Sequence, residues 1–397
     1  MRVLCVFNKY PWPVNSGDAV RNAAIVSYLQ RNGVETHVAA LPQGTGAPAP
    51  APAGVTATTV GRPVGDYLGA TTSRARTVVA GRPYQLAVGG QPEVRRALAE
   101  LWGAHDFDAV LVASTYSFGA VPEAALPRTV LDTHNVEHLR LGHVFEQGGR
   151  AMRLVGPRVI ERARRYEAEC VERAGVSIAC SEVDGRALRE LAPGADVRVV
   201  PNGVWIDAPL DDVEAAADAP LLFLASLDYS ANIDALQFFL EEIVPALPAD
   251  LPVAVAGSNA RPQALELLEA AGSRVTFLGE VDDPAVTRRS ALALVVPLRQ
   301  GSGTRLKIIE AWAEGVPVIS TAKGSEGLAG THGQHLLEAE TPADFAAAAT
   351  RLREEPGLRR SLVRAGRALA EEQYSWQSLG AELRRAVDDV AGRGPGR

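Results

Sequence analysis

Apolar and polar positions along this chain of 397 residues fall into two successive series of short strands and longer helical stretches. Arg2–Phe7 is an apolar run of strand length. Ala23, Val26 and Leu29 then recur at helical spacing across 19–33, Gly33 ends the stretch, and Glu35–Leu41 is the next strand. That β-α-β order predicts a parallel sheet with helices on its faces. Further strands are expected at Asp108–Ala113, Thr129–Asp132, Val176–Ala179 and Val197–Val200. Residues 44–61 are an Ala/Pro/Gly tract and read as a solvated loop. Pro201-Asn202-Gly203-Val204 breaks the pattern, and the polar, Ala/Asp-rich stretch 208–220 reads as a linker.

The series restarts with Leu221–Ala225 and continues through Val253–Gly257, Val275–Leu278, Ala291–Val296 and Val316–Ser320. A last amphipathic segment, Trp376–Val390, carries apolar positions at Leu379, Leu383, Val387 and Val390. A chain of this length exceeds a single core. The expected fold class is α/β, with two Rossmann-like, doubly wound parallel-sheet domains facing across a cleft. One would take residues 1–205 together with the C-terminal helix 376–392, and the other 219–375. Ligands of such sheets lie beyond the carboxyl ends of the strands.

The segment from Leu292 to Gly327 holds the most chemistry. Its first strand stops at Pro297, a loop with Gly301 and Gly303 follows, and a helical pattern runs from about Thr304 to Ala313. A Gly-rich loop entering a helix N-terminus makes an anion site, because the first-turn amides and the positive end of the dipole point at its occupant. Arg299, Arg305 and Lys307 add full charges, and the amides of Gly303 and Thr304 add donors, so a phosphate or diphosphate is the expected guest. Arg305 and Lys307 could also be ordinary solvent-facing residues. Cations at a helix N-terminus oppose the dipole, however, which favours the anion. Glu310 sits in the apolar helix segment Ile308-Ile309-Glu310-Ala311-Trp312, where a carboxylate needs partners.

Composition narrows the classes. The 47 acidic residues exceed the 40 basic ones and leave a net charge of −7, which excludes a general nucleic-acid binder. Cys5, Cys170 and Cys180 lack metal-ligand spacing and read as buried thiols of a reducing cytosol. No apolar run approaches membrane-spanning length, and Met1–Phe7 enters a strand with no signal-peptide pattern, so a cytoplasmic location is expected. The acidic pairs at 211–212, 282–283 and 388–389 read as turns and surface faces, and no metal or other cofactor is expected. The Arg-rich stretch 150–165 could touch anionic lipid or an anionic acceptor, but the glutamates among and after its arginines favour a salt-bridged surface helix.

Six motifs in order resemble glycosyltransferase family 4, retaining enzymes of the GT-B fold. They are Pro-Val-Asn-Ser-Gly-Asp-Ala-Val-Arg (13–21), Asp-Thr-His-Asn-Val-Glu (132–137), Ser181 after an apolar strand, Pro-Asn-Gly-Val (201–204), Ser-Leu-Asp-Tyr-Ser-Ala-Asn (226–232), and the Gly-Ser-Gly-Thr-Arg-Leu-Lys-Ile-Ile-Glu-Ala block (301–311). The resemblance runs over nearly the whole chain. It implies sugar transfer from a nucleoside-diphosphate donor, with retention at the anomeric carbon and donor binding mainly in the second domain. On that reading His134, Arg305 and Lys307 are catalytic. The donor set is Gly17, Arg299, Ser302, Gly303, Thr304, Glu310 and Glu326, with Glu310 accepting the ribose hydroxyls. Asn135, Glu137 and Arg21 would meet the acceptor, and Arg21 would either project into the cleft or pair with Asp18. A cap role for Ser16 or Asp18 stands beside the ligand role of the Gly17 loop. Many members carry a second glutamate eight positions before Glu310, where this chain has Ser302, and the usual Arg-x4-Lys clamp after the first strand of the second domain is absent. The partners expected are a nucleotide-sugar and an acceptor of unspecified kind: polysaccharide, lipid-linked sugar or natural product. A non-catalytic nucleotide-sugar scaffold and another GT-B enzyme, such as an epimerase, remain as alternatives.

Overall fold

The structure is a computed structural model and describes residues 1–14, 17–43, 47–62, 91–146, 149–206, 209, 219–301 and 305–393. The chain forms two compact units, Met1–Pro201 with Leu379–Arg397, and Asn202–Ser378. Among the described residues the first unit is a parallel sheet of seven strands: β1 (Arg2–Phe7), β2 (Glu35–Ala40), β3 (Thr56–Thr59), β4 (Ala109–Ala113), β5 (Thr129–Thr133), β6 (Val176–Ala179) and β7 (Val197–Val199). Their order is β3-β2-β1-β4-β5-β6-β7. The second unit holds a six-stranded sheet in the order β10-β9-β8-β11-β12-β13. Its strands are β8 (Leu221–Leu224), β9 (Val253–Ala256), β10 (Thr276–Gly279), β11 (Ala293–Val296), β12 (Val318–Ser320) and β13 (Leu337–Glu338). Both orders start in the middle and wind outward in two directions, the doubly wound topology. The two expected Rossmann-like domains are therefore present.

Central strands of such sheets are covered on both faces, so they are continuously apolar. Leu4, Val110, Leu111, Val112, Val130 and Leu131 are fully buried in the first unit, as are Val255, Ala293 and Leu294 in the second. The helices that carry the site residues are α1 (Gly17–Arg31), α2 (Glu137–Glu146), α3 (Arg150–Arg173), α4 (Ser230–Phe238), α5 (Pro284–Arg289), α6 (Leu306–Ala313) and α7 (Trp376–Ala391).

Two strands depart from the sequence reading. β3 lies inside the tract read as a solvated loop and pairs in parallel with β2, Ala39 against Thr58. Its sequence Thr-Ala-Thr-Thr is half-exposed and carries no apolar run, so main-chain pairing at the sheet edge supports it, not side-chain burial. β13 is only Leu337–Glu338, paired with Ile319 and Ser320. The linker read at 208–220 lies largely outside the described residues. Just before it, Val204 donates to Tyr374 O and accepts from Trp376 N at 2.8 and 3.0 Å, and Trp205 stacks on Trp376.

Residues of α7 from Leu379 onward belong to the first unit. Gly380 permits their close approach to α1, because a Cβ there would lie 1.9 Å from the Tyr28 ring. Alanine would improve helix propensity by about 1 kcal/mol, but overpacking costs roughly 1–3 kcal/mol. Gly380→Ala should therefore lower stability in urea unfolding, and Tyr28→Ala in the same chain should return part of the loss.

Candidate active site

In the first unit, charge gathers at the carboxyl end of β5 and the start of α1. Asp132 is fully buried at the end of an apolar strand, and a carboxylate there requires a cation. Arg21, one turn into α1 and 3% exposed, supplies it. Its Nε donates to Asp132 Oδ2 at 2.8 Å, and Nη2 donates to Asp132 Oδ1 and, at 3.0 Å, to the carbonyl of Val200. Arg21 thus pairs with Asp132, not with Asp18. Burial opposes both charges, but the mutual attraction prevails: Asp132 is held far below the usual carboxylate range and Arg21 is held charged.

His134 joins the cluster from the other side. Its Nδ1 is 3.3 Å from Asp18 Oδ1, and its Nε2 is 3.3 Å from Asp132 Oδ2, outside hydrogen-bond geometry but well within Coulombic reach. Burial would lower its pKa, yet the two carboxylates outweigh burial and raise it to about 9. His134 is therefore an imidazolium at neutral pH, a donor with no lone pair to act as a base. Gly17 opens α1 with nothing within 4 Å of the position of a Cβ. Asn135 is half-buried.

Glu137 is buried and already engaged: its Oε2 accepts from Tyr116 Oη at 3.0 Å and from Arg140 at 2.9 and 2.8 Å. Glu167, fully buried on α3, caps α2 by accepting from the amides of Glu137 and His138. This network fixes the polar loop after β5 in place, and it leaves Glu137 less free to meet an acceptor than the sequence suggested.

In the second unit the chemistry lies beyond β8, β11 and β12. β8 and β11 are neighbours whose following chains diverge, the topological switch point of the sheet. Gly301, at φ 109°, places its backbone near the Tyr229 hydroxyl of the loop after β8. Ser320 Oγ donates to Val296 O, and Thr321 Oγ1 to Leu298 O, which ties the exits of β11 and β12 together. Arg305, 7% exposed, fastens the same loops: its Nη2 donates to Gly301 O at 3.1 Å and to Lys323 O at 3.2 Å. Burial lowers its pKa, with Glu326 opposing at 3.9 Å. Glu326 is mostly exposed and bonded to Lys323.

Lys307, in the first turn of α6, has no hydrogen-bond or ion-pair partner among the described residues. Enclosure pushes its ammonium down to about 8, with Glu310 opposing and Arg305 and Arg288 adding to the drop. Glu310 lies one turn further on. Burial raises its carboxyl, against the pull of Arg288, whose Nη1 is 2.9 Å from Glu310 Oε2. The buried Arg288 of α5 also makes two 2.7 Å bonds to Glu314. Sequence reasoning missed Arg288; its only signal was the unmet need of Glu310 for a cation. Arg299 does not join this group. It pairs with Asp234 at 2.7 Å and lies 4.8 Å over the Phe238 ring, both on α4. Ser302, Gly303 and Thr304 lie outside the described residues.

Of the acidic pairs, Asp283 caps α5, Asp388 pairs with Arg384 and Asp389 with Arg198, while 211–212 lie outside the described residues. Cys5, Cys170 and Cys180 are buried free thiols. On α3, Arg165 pairs with Glu161 and Arg173 with Glu169. No described helix is long and apolar enough to cross a membrane.

The sequence pattern of Glycosyltransferase Family 4 matches residues 16–207, and that of Glycosyl transferases group 1 matches residues 219–355. The chain belongs to glycosyltransferase family 4, on the GT-B fold. It is similar to a D-inositol 3-phosphate glycosyltransferase of Thermomonospora curvata, 28% identical over 250 residues, 57% of this chain and 58% of the relative. The match therefore spans little more than half of the relative's length. Among solved structures, sucrose-phosphate synthase from Thermosynechococcus elongatus superposes with a TM-score of 0.72 at 15% identity, covering 98% of this chain and 99% of its own. WaaG, a glycosyltransferase involved in lipopolysaccharide biosynthesis, gives 0.63 at 16% identity, covering 99% and 100%. HepE from Anabaena, in complex with UDP and glucose, gives 0.60 at 14% identity, covering 98% and 99%. At such identities these structures share the fold alone.

Two measurements test the first cluster. Removing one partner of a buried ion pair costs about 3–5 kcal/mol, so Arg21→Leu should lose that much in urea unfolding. The imidazolium of His134 has a folded pKa of about 9, above the unfolded value of roughly 6.5. Its stabilisation is full below the unfolded value and is lost as pH rises through the folded one. Wild-type stability should fall between these pH values by on the order of 1–3 kcal/mol, and His134→Gln should remove that part of the slope.

Proposed function

We propose that the protein transfers a sugar, with retention, from a nucleoside-diphosphate sugar held by the second unit to an acceptor hydroxyl. The observation that carries this reading is Lys307, a half-buried ammonium in the first turn of α6 with no described partner and a lowered pKa. Such a group is costly without an anion. A diphosphate would supply the missing charge, and it is also where negative charge grows when the sugar–phosphate bond breaks. Preorganised donors at such a position are worth roughly 3–4 kcal/mol of transition-state stabilisation each. Arg305, braced by its two carbonyl contacts, contributes a second fixed charge beside Lys307. Glu310, held by Arg288, presents a carboxylate for the ribose diol.

Retention follows from the family likeness, in which the departing phosphate itself serves as the base toward the acceptor. His134, as an imidazolium, would donate to a sugar hydroxyl and orient it. The reaction as proposed needs no metal, and cytoplasmic action fits the buried thiols. The acceptor class stays open among sugars, lipid-linked sugars and natural products.

Thermal unfolding with UDP, GDP, dTDP and ADP tests the donor site. A ligand at one hundred times its dissociation constant adds about 2.7 kcal/mol. One base should stabilise the wild type, and Glu310→Ala should lose that shift; no shift with any of them overturns the donor site. Nucleotide binding without transfer from the matching sugar donor would favour the scaffold reading instead. The pH dependence has a definite sign. Lys307 binds its proton more weakly when folded, so the ligand-free protein gains stability as pH rises from about 8 toward the ordinary lysine value. Nucleotide affinity should fall over the same range, and calorimetry near pH 8 in buffers of different ionisation enthalpy should record proton uptake on binding. Lys307→Arg should bind with no such uptake.

A further inference from the structure

The two halves of α3 differ in chemistry. From Glu161 onward glutamates stand among its arginines, and Arg165 and Arg173 pair with Glu161 and Glu169. Between Glu146 and Glu161, by contrast, the chain carries Arg150, Arg153 and Arg158 and no acidic residue. The first turn of α3 therefore lacks the carboxylate that would complement its dipole. Local carboxylates for a salt-bridged face begin only at Glu161.

The same half exposes apolar side chains. Leu154 is 79% exposed and Val155 41%. The end of α2 lies close beside them: a Cβ on Gly156 would be 3.0 Å from that of Phe145, so the two helices touch there. That contact brings Val144, 44% exposed, to the same tip. Arg153 and Arg158 are also exposed. Arg158 follows Leu154 by four positions and Val155 by three, which puts it on their face of the helix.

Exposed aliphatic side chains beside arginines, in a stretch without a carboxylate, suit a surface that is anionic outside and apolar beneath. Aliphatic groups enter the acyl boundary of a bilayer while guanidinium groups stay with the lipid phosphates. A protein partner would call for aromatic anchors, and the large apolar side chains exposed here are leucine and valine. The net charge of −7 sharpens the argument. An anionic surface repels the molecule as a whole, so approach needs a local basic face.

We propose that the tip of α2 and α3 docks the protein on an anionic lipid bilayer, with Val144, Leu154 and Val155 as its apolar contacts and Arg153 and Arg158 as its charged ones. α2 begins directly after His134-Asn135-Val136, so the docking element borders the polar cluster. An acceptor carried on a lipid would then reach that cluster from the bilayer. This last step rests on the transferase reading; the docking does not.

Sedimentation of the full chain with vesicles is the test. The wild type should pellet with vesicles of phosphatidylglycerol and phosphatidylcholine in equal parts, less so as salt rises, and stay in solution with phosphatidylcholine alone. Arg153→Glu with Arg158→Glu should weaken binding at least tenfold, since each basic residue near an anionic surface is worth about fivefold. Leu154→Ser with Val155→Ser should weaken it several-fold at unchanged charge. This serine pair, altered only at exposed aliphatic positions, should keep the thermal stability of the wild type. Arg360→Glu with Arg364→Glu, the same change of charge on helix Pro356–Leu369 of the second unit, should bind as the wild type does. No pelleting of the wild type, equal pelleting with both vesicles, or a serine pair indistinguishable from wild type overturns the proposal. Equal loss in the second-unit variant also overturns it, by making net charge the cause. So does a lipid-free wild-type dimer that the serine pair dissolves, because the tip would then be a contact between copies. None of these measurements uses a sugar donor, so failure of docking and failure of transfer are told apart.

Discussion

Parallel strand pairing puts every loop that follows a strand at one end of its sheet, and each unit is built on that constraint. Residues far apart in the chain are thereby brought to one edge of a low-dielectric interior. Arg21 and Asp132 are 111 positions apart, yet they meet because α1 starts, and β5 stops, at the same end of the first sheet. In the second sheet the exits of β11 and β12 are tied through Ser320 and Thr321, and Arg305 spans them. Charge delivered to such an edge must find a counter-charge, because burial penalises it and solvent cannot fully screen it.

The two units meet that requirement in opposite ways, and the direction of each pKa shift tells them apart. In the first, Arg21 and His134 face Asp132 and Asp18, two cations against two carboxylates. His134 therefore goes up to about 9 despite burial. In the second, Lys307 goes down to about 8, because burial and its arginine neighbours outweigh Glu310. The first cluster supplies its own counter-charges, while around Lys307 burial prevails.

The strands were legible because doubly covered parallel strands are continuous apolar runs; Arg2–Phe7 and Val176–Ala179 match residue for residue. β3 was not, because Thr-Ala-Thr-Thr at an edge has no pattern to show, and β13 is too short to carry one. At the site, the Gly-rich turn into α6 suggested an anion, and the isolation of Glu310 among apolar residues called for a partner, which the structure supplies as Arg288. The identity of that partner was hidden, since Arg288 comes from another helix and nothing local marks it. Arg299 shows the converse. Its place beside the Gly-rich loop suggested phosphate, but Asp234 and the Phe238 ring on α4, far earlier in the chain, take it up. Sequence proximity to a motif says little about where a long side chain is drawn.

Arg288 also bears on the state of Glu310. A lone buried carboxyl whose pKa is raised tends toward its protonated form, and then it accepts hydrogen bonds less well. Arg288 works against that at Glu310 while its two other bonds to Glu314 fix the guanidinium in place. Glu310 is thus aimed by a group whose own position is fixed. Around α6 the described charges are then Glu310, Glu314 and, 3.9 Å from Arg305, Glu326, against Arg288, Lys307 and Arg305. The positive end of the helix dipole adds to the cations at the same end, so Arg288 is needed as the fixed partner of both Glu310 and Glu314, which neither Lys307 nor Arg305 bonds.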